Sequence, residues 1–146
     1  MITPQQLALS GTEHAEQCAL FCWANMYAPM EYRGELRSLF AIPNGGQRGD
    51  GTERGAMIAG SRMKAEGVKE GVSDIFLPVP RWYLIKNVDH VYHGLFIEMK
   101  KLKNSYATDE QKAFIVLMKS RGYAATVCRG WIEASQVLIS YLSLKA

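Results

Sequence analysis

The chain has 146 residues, of which 48% are hydrophobic and 21% charged. A single domain of that size buries roughly 68–70% of its unfolded surface, so a core forms without disulfides, and global disorder, collagen-like repeats and low-complexity character are excluded. Seventeen Lys and Arg against fourteen Asp and Glu leave a net charge of +3, which permits a polyanionic partner without demanding one.

The charge is unevenly spread. Residues 1–50 carry 3 basic and 5 acidic groups, residues 51–100 carry 7 and 6, and residues 101–146 carry 7 and 3. One domain spanning 1–146 is expected. Cys18, Cys22 and Cys128 are too few and too scattered for a disulfide framework, and the first two, one helical turn apart, read as small buried hydrophobes. There is no secretory signal pattern and no apolar run near 18 residues. A cytoplasmic protein with no membrane partner is therefore expected.

Residues 1–10 read as a polar lead-in. From Thr12 to Tyr27 apolar residues recur at spacings of three and four (Ala15, Cys18, Ala19, Cys22, Trp23 and Met26), which predicts a helix. Ser10 and Glu13 have the form of a capping box at its start, and Pro29 ends it. Leu39–Ile42 predicts a buried strand running into the Pro43-Asn44-Gly45-Gly46 turn. A second helix is expected over Glu53–Glu66, stopped by Gly67. Strands are expected over Gly71–Leu77 and Gly94–Lys100, with a hairpin excursion over residues 81–93 between them. Thr108 and Gln111 form another capping-box pattern, opening a helix that runs to Arg121 and stops at Gly122. A strand over Tyr123–Cys128 and a helix over Ile132–Leu142 close the chain. The last helix should turn Ala134, Val137, Leu138, Tyr141 and Leu142 inward. The order αβαββαβα predicts an α/β fold, a small mixed sheet flanked by helices.

Asp74, Glu98 and Lys100 form the pattern with chemical content. Side chains alternate along a strand, so Phe96, Glu98 and Lys100 share one face while Leu95, Ile97 and Met99 share the other. If the strand that follows Asp74 pairs with this one, two carboxylates and an ammonium converge. Two carboxylates repel unless a cation lies between them, and oxygen ligands suit Mg²⁺ or Mn²⁺. Such an ion neutralises phosphate charge, and a lysine beside it can act on water or on phosphoryl oxygens. Taken alone, Glu-x-Lys is more commonly a solvated ion pair of little consequence. His90 and His93 lack a third ligand at zinc spacing. Trp23 and Trp131 read as core.

The run Ile42-Pro43-Asn44-Gly45-Gly46-x-Arg48, the stretch Met63-Lys64-Ala65-Glu66-Gly67-Val68-Lys69-x-Gly71-Val72-Ser73-Asp74-Ile75, the strand Gly94-Leu95-Phe96-Ile97-Glu98-Met99-Lys100, then Gln111 and Gly122-Tyr123 together resemble the VRR-NUC domain. This is the virus-type replication-repair nuclease family of the PD-(D/E)xK superfamily. The resemblance covers residues 10–142 and is nearest to the stand-alone versions carried by phages and prophages. It departs from the pattern at Ser73, where the family usually has proline.

The resemblance implies a restriction-endonuclease-like fold and a metal-dependent DNA endonuclease, selective for branched or junction DNA, acting in replication, repair or recombination. It implies that Asp74 and Glu98, with the backbone carbonyl of Met99, hold Mg²⁺ or Mn²⁺, and that Lys100 acts on the attacking water. An acidic residue of the first helix, Glu13 or Glu16, completes the site, with Glu13 favoured. Gln111 touches the reacting groups or caps its own helix. Asn44, Gly45, Arg48, Lys101 and Lys103 are placed to contact DNA. A homodimer fits such a small nuclease, because two cuts need two sites. Two rival readings stay open: a catalytically weak nucleic-acid-binding module of the same fold, and a nucleotide phosphohydrolase.

Overall fold

The computed structural model describes residues 2–43 and 52–146. The expected turn residues Asn44, Gly45 and Arg48 lie outside the described residues.

The lead-in is structured. Thr3 caps a short helix, α1 (Pro4–Leu7), through a capping box with Gln6, and Pro4 occupies the first turn. Thr-Pro-x-Gln is itself a helix-start signal, and the polar composition hid it. The first long helix, α2 (Glu13–Met26), is capped by Thr12, whose hydroxyl accepts from the Ala15 N–H. The Ser10–Glu13 capping box is therefore absent: Ser10 Oγ bonds to Thr12 Oγ1, and Glu13 turns elsewhere.

The buried stripe of α2 is Ala15, Glu16, Ala19, Leu20, Trp23 and Ala24. Cys18 and Cys22 are only partly buried, and Met26 is exposed. The face is thus rotated from the expected one, because α1 lies along the cysteine side, where Cys22 Sγ approaches the Ile2 carbonyl. This rotation carries Glu16 into the interior.

A short helix, α3 (Arg33–Leu36), leads to β1 (Phe40–Ala41). The expected burial holds at Leu39, which joins the core, but not in the strand itself. It is an exposed edge, held to β2 (Ile75–Leu77) through the register Phe40↔Phe76. Between them, α4 (Glu53–Ala65) ends at Gly67, whose φ of +94° is the left-handed conformation a helix stop favours.

The hairpin over residues 81–93 is present as β3 (Arg81–Ile85) and β4 (Val88–Tyr92). Lys86 and Asn87 both have positive φ at its tip, the requirement of a two-residue primed turn. A Lys-Asn pair does not advertise that turn as Asn-Gly does.

β5 (Leu95–Lys100), α5 (Asp109–Ser120) and β6 (Ala124–Arg129) form a βαβ unit, and α6 (Gly130–Leu142) closes the chain. The main sheet has the order β1-β2-β5-β6. Its first two pairings are antiparallel and the third is parallel. This is the expected small mixed sheet flanked by helices. Leu95, Ile97 and Met99 join Leu20, Trp23, Cys128 and Leu138 in one core. The opposite face of β5 carries an aromatic cluster, with Phe96 stacked on Phe76 at 4.3 Å and edge-on to Phe114 of α5 at 5.3 Å.

Candidate active site

β2 and β5 do pair, in the register Ile75↔Ile97. Asp74 immediately precedes β2, so its carboxylate reaches the end of β5, where Oδ2 accepts the Met99 N–H at 2.8 Å. The chain is brought there by Gly71. Its φ is +82°, and a Cβ at that position would lie 2.6 Å from the backbone carbonyl of Glu110. Only glycine lets the approach to Asp74 press against the first turn of α5. The Gly71-x-x-Asp74 spacing therefore sets the distance between the Asp74 strand and the helix that carries Gln111.

Glu98 is fully buried and Lys100 is 6% exposed. The Lys100 ammonium lies 3.0 Å from Glu98 Oε1. The same oxygen accepts from Gln111 Nε2. Gln111 also closes the capping box of α5, because its Oε1 accepts the Thr108 N–H. One end of the amide thus caps the helix, as one of the two readings expected, and the other end donates to Glu98.

The electrostatics are those of a crowded carboxylate pair. Burial, then the neighbouring charge of Asp74, pushes Glu98 up to about 7 against the pull of Lys100. For Lys100, burial works to lower the pKa. The hydrogen bond and charge of Glu98, with the charges of Glu13 and Asp74, outweigh it and raise the value. The ammonium is therefore cationic across the physiological range.

The two acids of α2 have separate roles. Glu13, half-exposed, sits 3.6 Å from Lys100 Nζ and accepts from Ser105 Oγ. Glu16 is buried, and its Oε2 accepts the Trp131 N–H at the start of α6. Gly130 makes that contact possible, since a Cβ there would lie 3.2 Å from Glu16 Oε2 and 2.6 Å from Leu102. Of the pair, Glu13 is the one that faces Lys100.

The donor set fits a hard divalent cation in chemistry. Asp74 and Glu98 supply carboxylate oxygens side by side, and Glu98 Oε2 is buried with no hydrogen-bond partner. Once Glu98 is ionised, that oxygen, beside Asp74, is an acceptor that a cation can satisfy. Among the described residues no group of three His, Cys, Asp or Glu side chains converges as a metal cage. The third acid expected from α2 is thus not assembled with the first two. His90 stacks on Tyr83, and His93 lies edge-on to Tyr123. Trp23 is buried, and Trp131 packs against the core.

Sequence reasoning passed over several residues that shape this end of the sheet. Lys101 and Lys103 follow the site in an exposed loop, as expected. In the same loop Ser105 holds Glu13, and Tyr106 lies beneath the guanidinium of Arg129. Arg129 is the register partner of Lys100. The signal available for it was its place at the end of a strand parallel to Glu-x-Lys.

A small mixed sheet flanked by helices, with Asp and Glu-x-Lys at the ends of paired strands, defines a restriction-endonuclease-like domain of nuclease type. The comparison with solved structures gives the particular version. A protein described as a VRR_NUC domain protein superimposes with a TM-score of 0.69 at 28% identity, covering 92% of this chain and 90% of its own. The chain thus has a VRR-NUC domain fold. No protein-family model matches it, and no curated protein matches it. No described helix is long and apolar enough to cross a membrane.

Proposed function

We propose that the chain is a divalent-metal-dependent DNA endonuclease, selective for branched or junction DNA, working in replication, repair or recombination, as a homodimer where paired cuts are needed. The observation that carries this reading is the buried Glu98 carboxylate. One oxygen is held by Lys100 and Gln111, and the other, beside Asp74, has no partner. A buried carboxyl crowded against a second carboxylate is costly to ionise, and a divalent cation between the two offsets that cost.

Asp74, Glu98 and the Met99 carbonyl hold Mg²⁺ or Mn²⁺ in this reading. The ion, when bound, neutralises phosphate charge and acidifies water. Lys100 orients the attacking water and stabilises charge developing on the phosphoryl oxygens. Gln111 fixes the rotamer of Glu98, and Glu13 fixes the Lys100 ammonium. Lys101 and Lys103 dock the flanking backbone.

The test is purified protein with Mg²⁺ or Mn²⁺ on linear, flap, fork and four-way DNA, beside free nucleotides. Metal-dependent cutting that favours the branched forms is the expected result. Nucleotide hydrolysis without DNA cleavage favours a phosphohydrolase, and binding without turnover favours a non-catalytic module.

A further inference from the structure

We infer that Tyr106 and Arg129 form a docking platform for an unpaired nucleotide next to the scissile phosphate, with the base stacked on the Tyr106 ring and its phosphate gripped by Arg129. The inference rests on the nuclease reading and names a part of the substrate that the catalytic residues do not touch.

Position comes first. Arg129 pairs with Lys100 across β5 and β6, and neighbouring strands lie about 4.8 Å apart. The other side of the rim returns to the same point. Lys100 Nζ faces Glu13 Oε1 at 3.6 Å, Glu13 Oε1 accepts from Ser105 Oγ at 2.7 Å, and Tyr106 is the next residue. The loop closes when the Arg129 guanidinium reaches over the Tyr106 ring, 5.7 Å from its centroid. The pair therefore sits on the rim of the site, one step from the reactive ammonium.

Chemistry comes second. Tyr106 is 75% exposed. A large ring left in water beside a nucleic-acid site is an open stacking face, and base–aromatic stacking is tolerant of sequence because every base has a π-face. A paired base is already stacked in its own duplex, so the ring selects an unpaired one. Arg129 is exposed, and its backbone N–H is fixed by Glu133 Oε2 at 2.6 Å. Its guanidinium carries donors suited to phosphate oxygens. With Lys101 and Lys103 exposed in the adjoining loop, the rim adds two more cationic side chains beside the pair.

The test is equilibrium binding in Ca²⁺, used to allow docking without turnover, on a fully paired duplex and on the same duplex with a single-stranded flank. Tyr106→Ala should weaken binding of the flanked substrate about tenfold and of the paired duplex less than twofold, and Tyr106→Phe should match the wild type. Arg129→Ala should lower the salt slope by about one on the flanked substrate. Because Tyr106 is exposed, its replacement leaves the fold intact, which a thermal melt verifies. Unchanged binding by Tyr106→Ala on both substrates, while the wild type binds and cuts, overturns the platform alone. A wild type that binds neither DNA overturns the platform and the nuclease reading together.

Discussion

The two faces of β5 are built on opposite principles. Ile97 and Met99 are buried on one side among Leu20, Trp23 and Leu138, where dispersion and the hydrophobic effect reward every contact. On the other side Glu98 and Lys100 are buried almost as deeply, yet as a carboxyl and an ammonium. Burial and the repulsion from Asp74 work against ionising Glu98 there, and the pull of Lys100 offsets them only in part. The first face makes the fold stable, and the second draws on that stability to hold two carboxyls beside an ammonium. Alternation along one strand lets a six-residue segment do both. Breaking one face should cost stability, and breaking the other should cost chemistry.

The largest effect is expected from Asp74→Ala or Glu98→Ala. Each should abolish cleavage and weaken Mg²⁺ binding by titration, while the protein stays folded. Near wild-type cutting by either variant contradicts the assignment of the charged face. Lys100→Ala comes next: single-turnover cleavage in Mg²⁺ should fall by several orders of magnitude, with DNA affinity in Ca²⁺ almost unchanged. A variant that binds poorly but cuts normally once saturated makes Lys100 a docking contact.

Ile97→Ala probes the other face. It should lose about 2–5 kcal/mol in denaturant unfolding, as a buried aliphatic truncation does, and retain turnover in proportion to the folded fraction. The two glutamates of α2 repeat the contrast on a smaller scale. Glu16→Ala removes the acceptor of the part-buried Trp131 N–H and should cost about 1–3 kcal/mol. Glu13→Ala, at a half-exposed ion pair, should cost under about 1 kcal/mol and show its main effect on the turnover rate. Equal stability losses for the two would mean that the division between them is wrong.

The same contrast explains what the sequence made legible. Glu98 and Lys100 were placed on one face by simple alternation, and Thr108 and Gln111 announced their capping box. Asp74 was tied to them only through strand pairing, and the register Ile75↔Ile97 supports that. The stripe of α2 differs from the expected one because Cys18 and Cys22 look as apolar as Ala19, while the run Glu16, Leu20, Ala24 places a charge on the buried side. No local pattern marks an acid that will cap a helix 115 residues further along the chain. The Arg129–Tyr106 contact is likewise a product of tertiary structure, joining a loop to a strand end that only the parallel pairing brings together.

The smallest effect concerns the charged face in the absence of metal. Burial and Asp74 raise Glu98 from its ordinary value of 4.5 to about 7. A carboxyl whose folded pKa is raised contributes stability that is fully present below about 4.5 and is lost as pH rises through about 7, because the folded state then gives up a proton the unfolded state has already lost. In EDTA the melting temperature should therefore decline between pH 5 and 7.5 by a few degrees, equivalent to about 1–2 kcal/mol. Glu98→Gln removes the titration but keeps a side chain of the same shape, so its curve should be flatter over that window and should lie above the wild type at pH 7.5. Mg²⁺ should flatten the wild-type curve in the same direction, since binding stabilises the ionised form, and should leave Glu98→Gln nearly unmoved. Parallel curves for the two proteins in EDTA would place the raised proton affinity on another group and leave Glu98 ionised throughout.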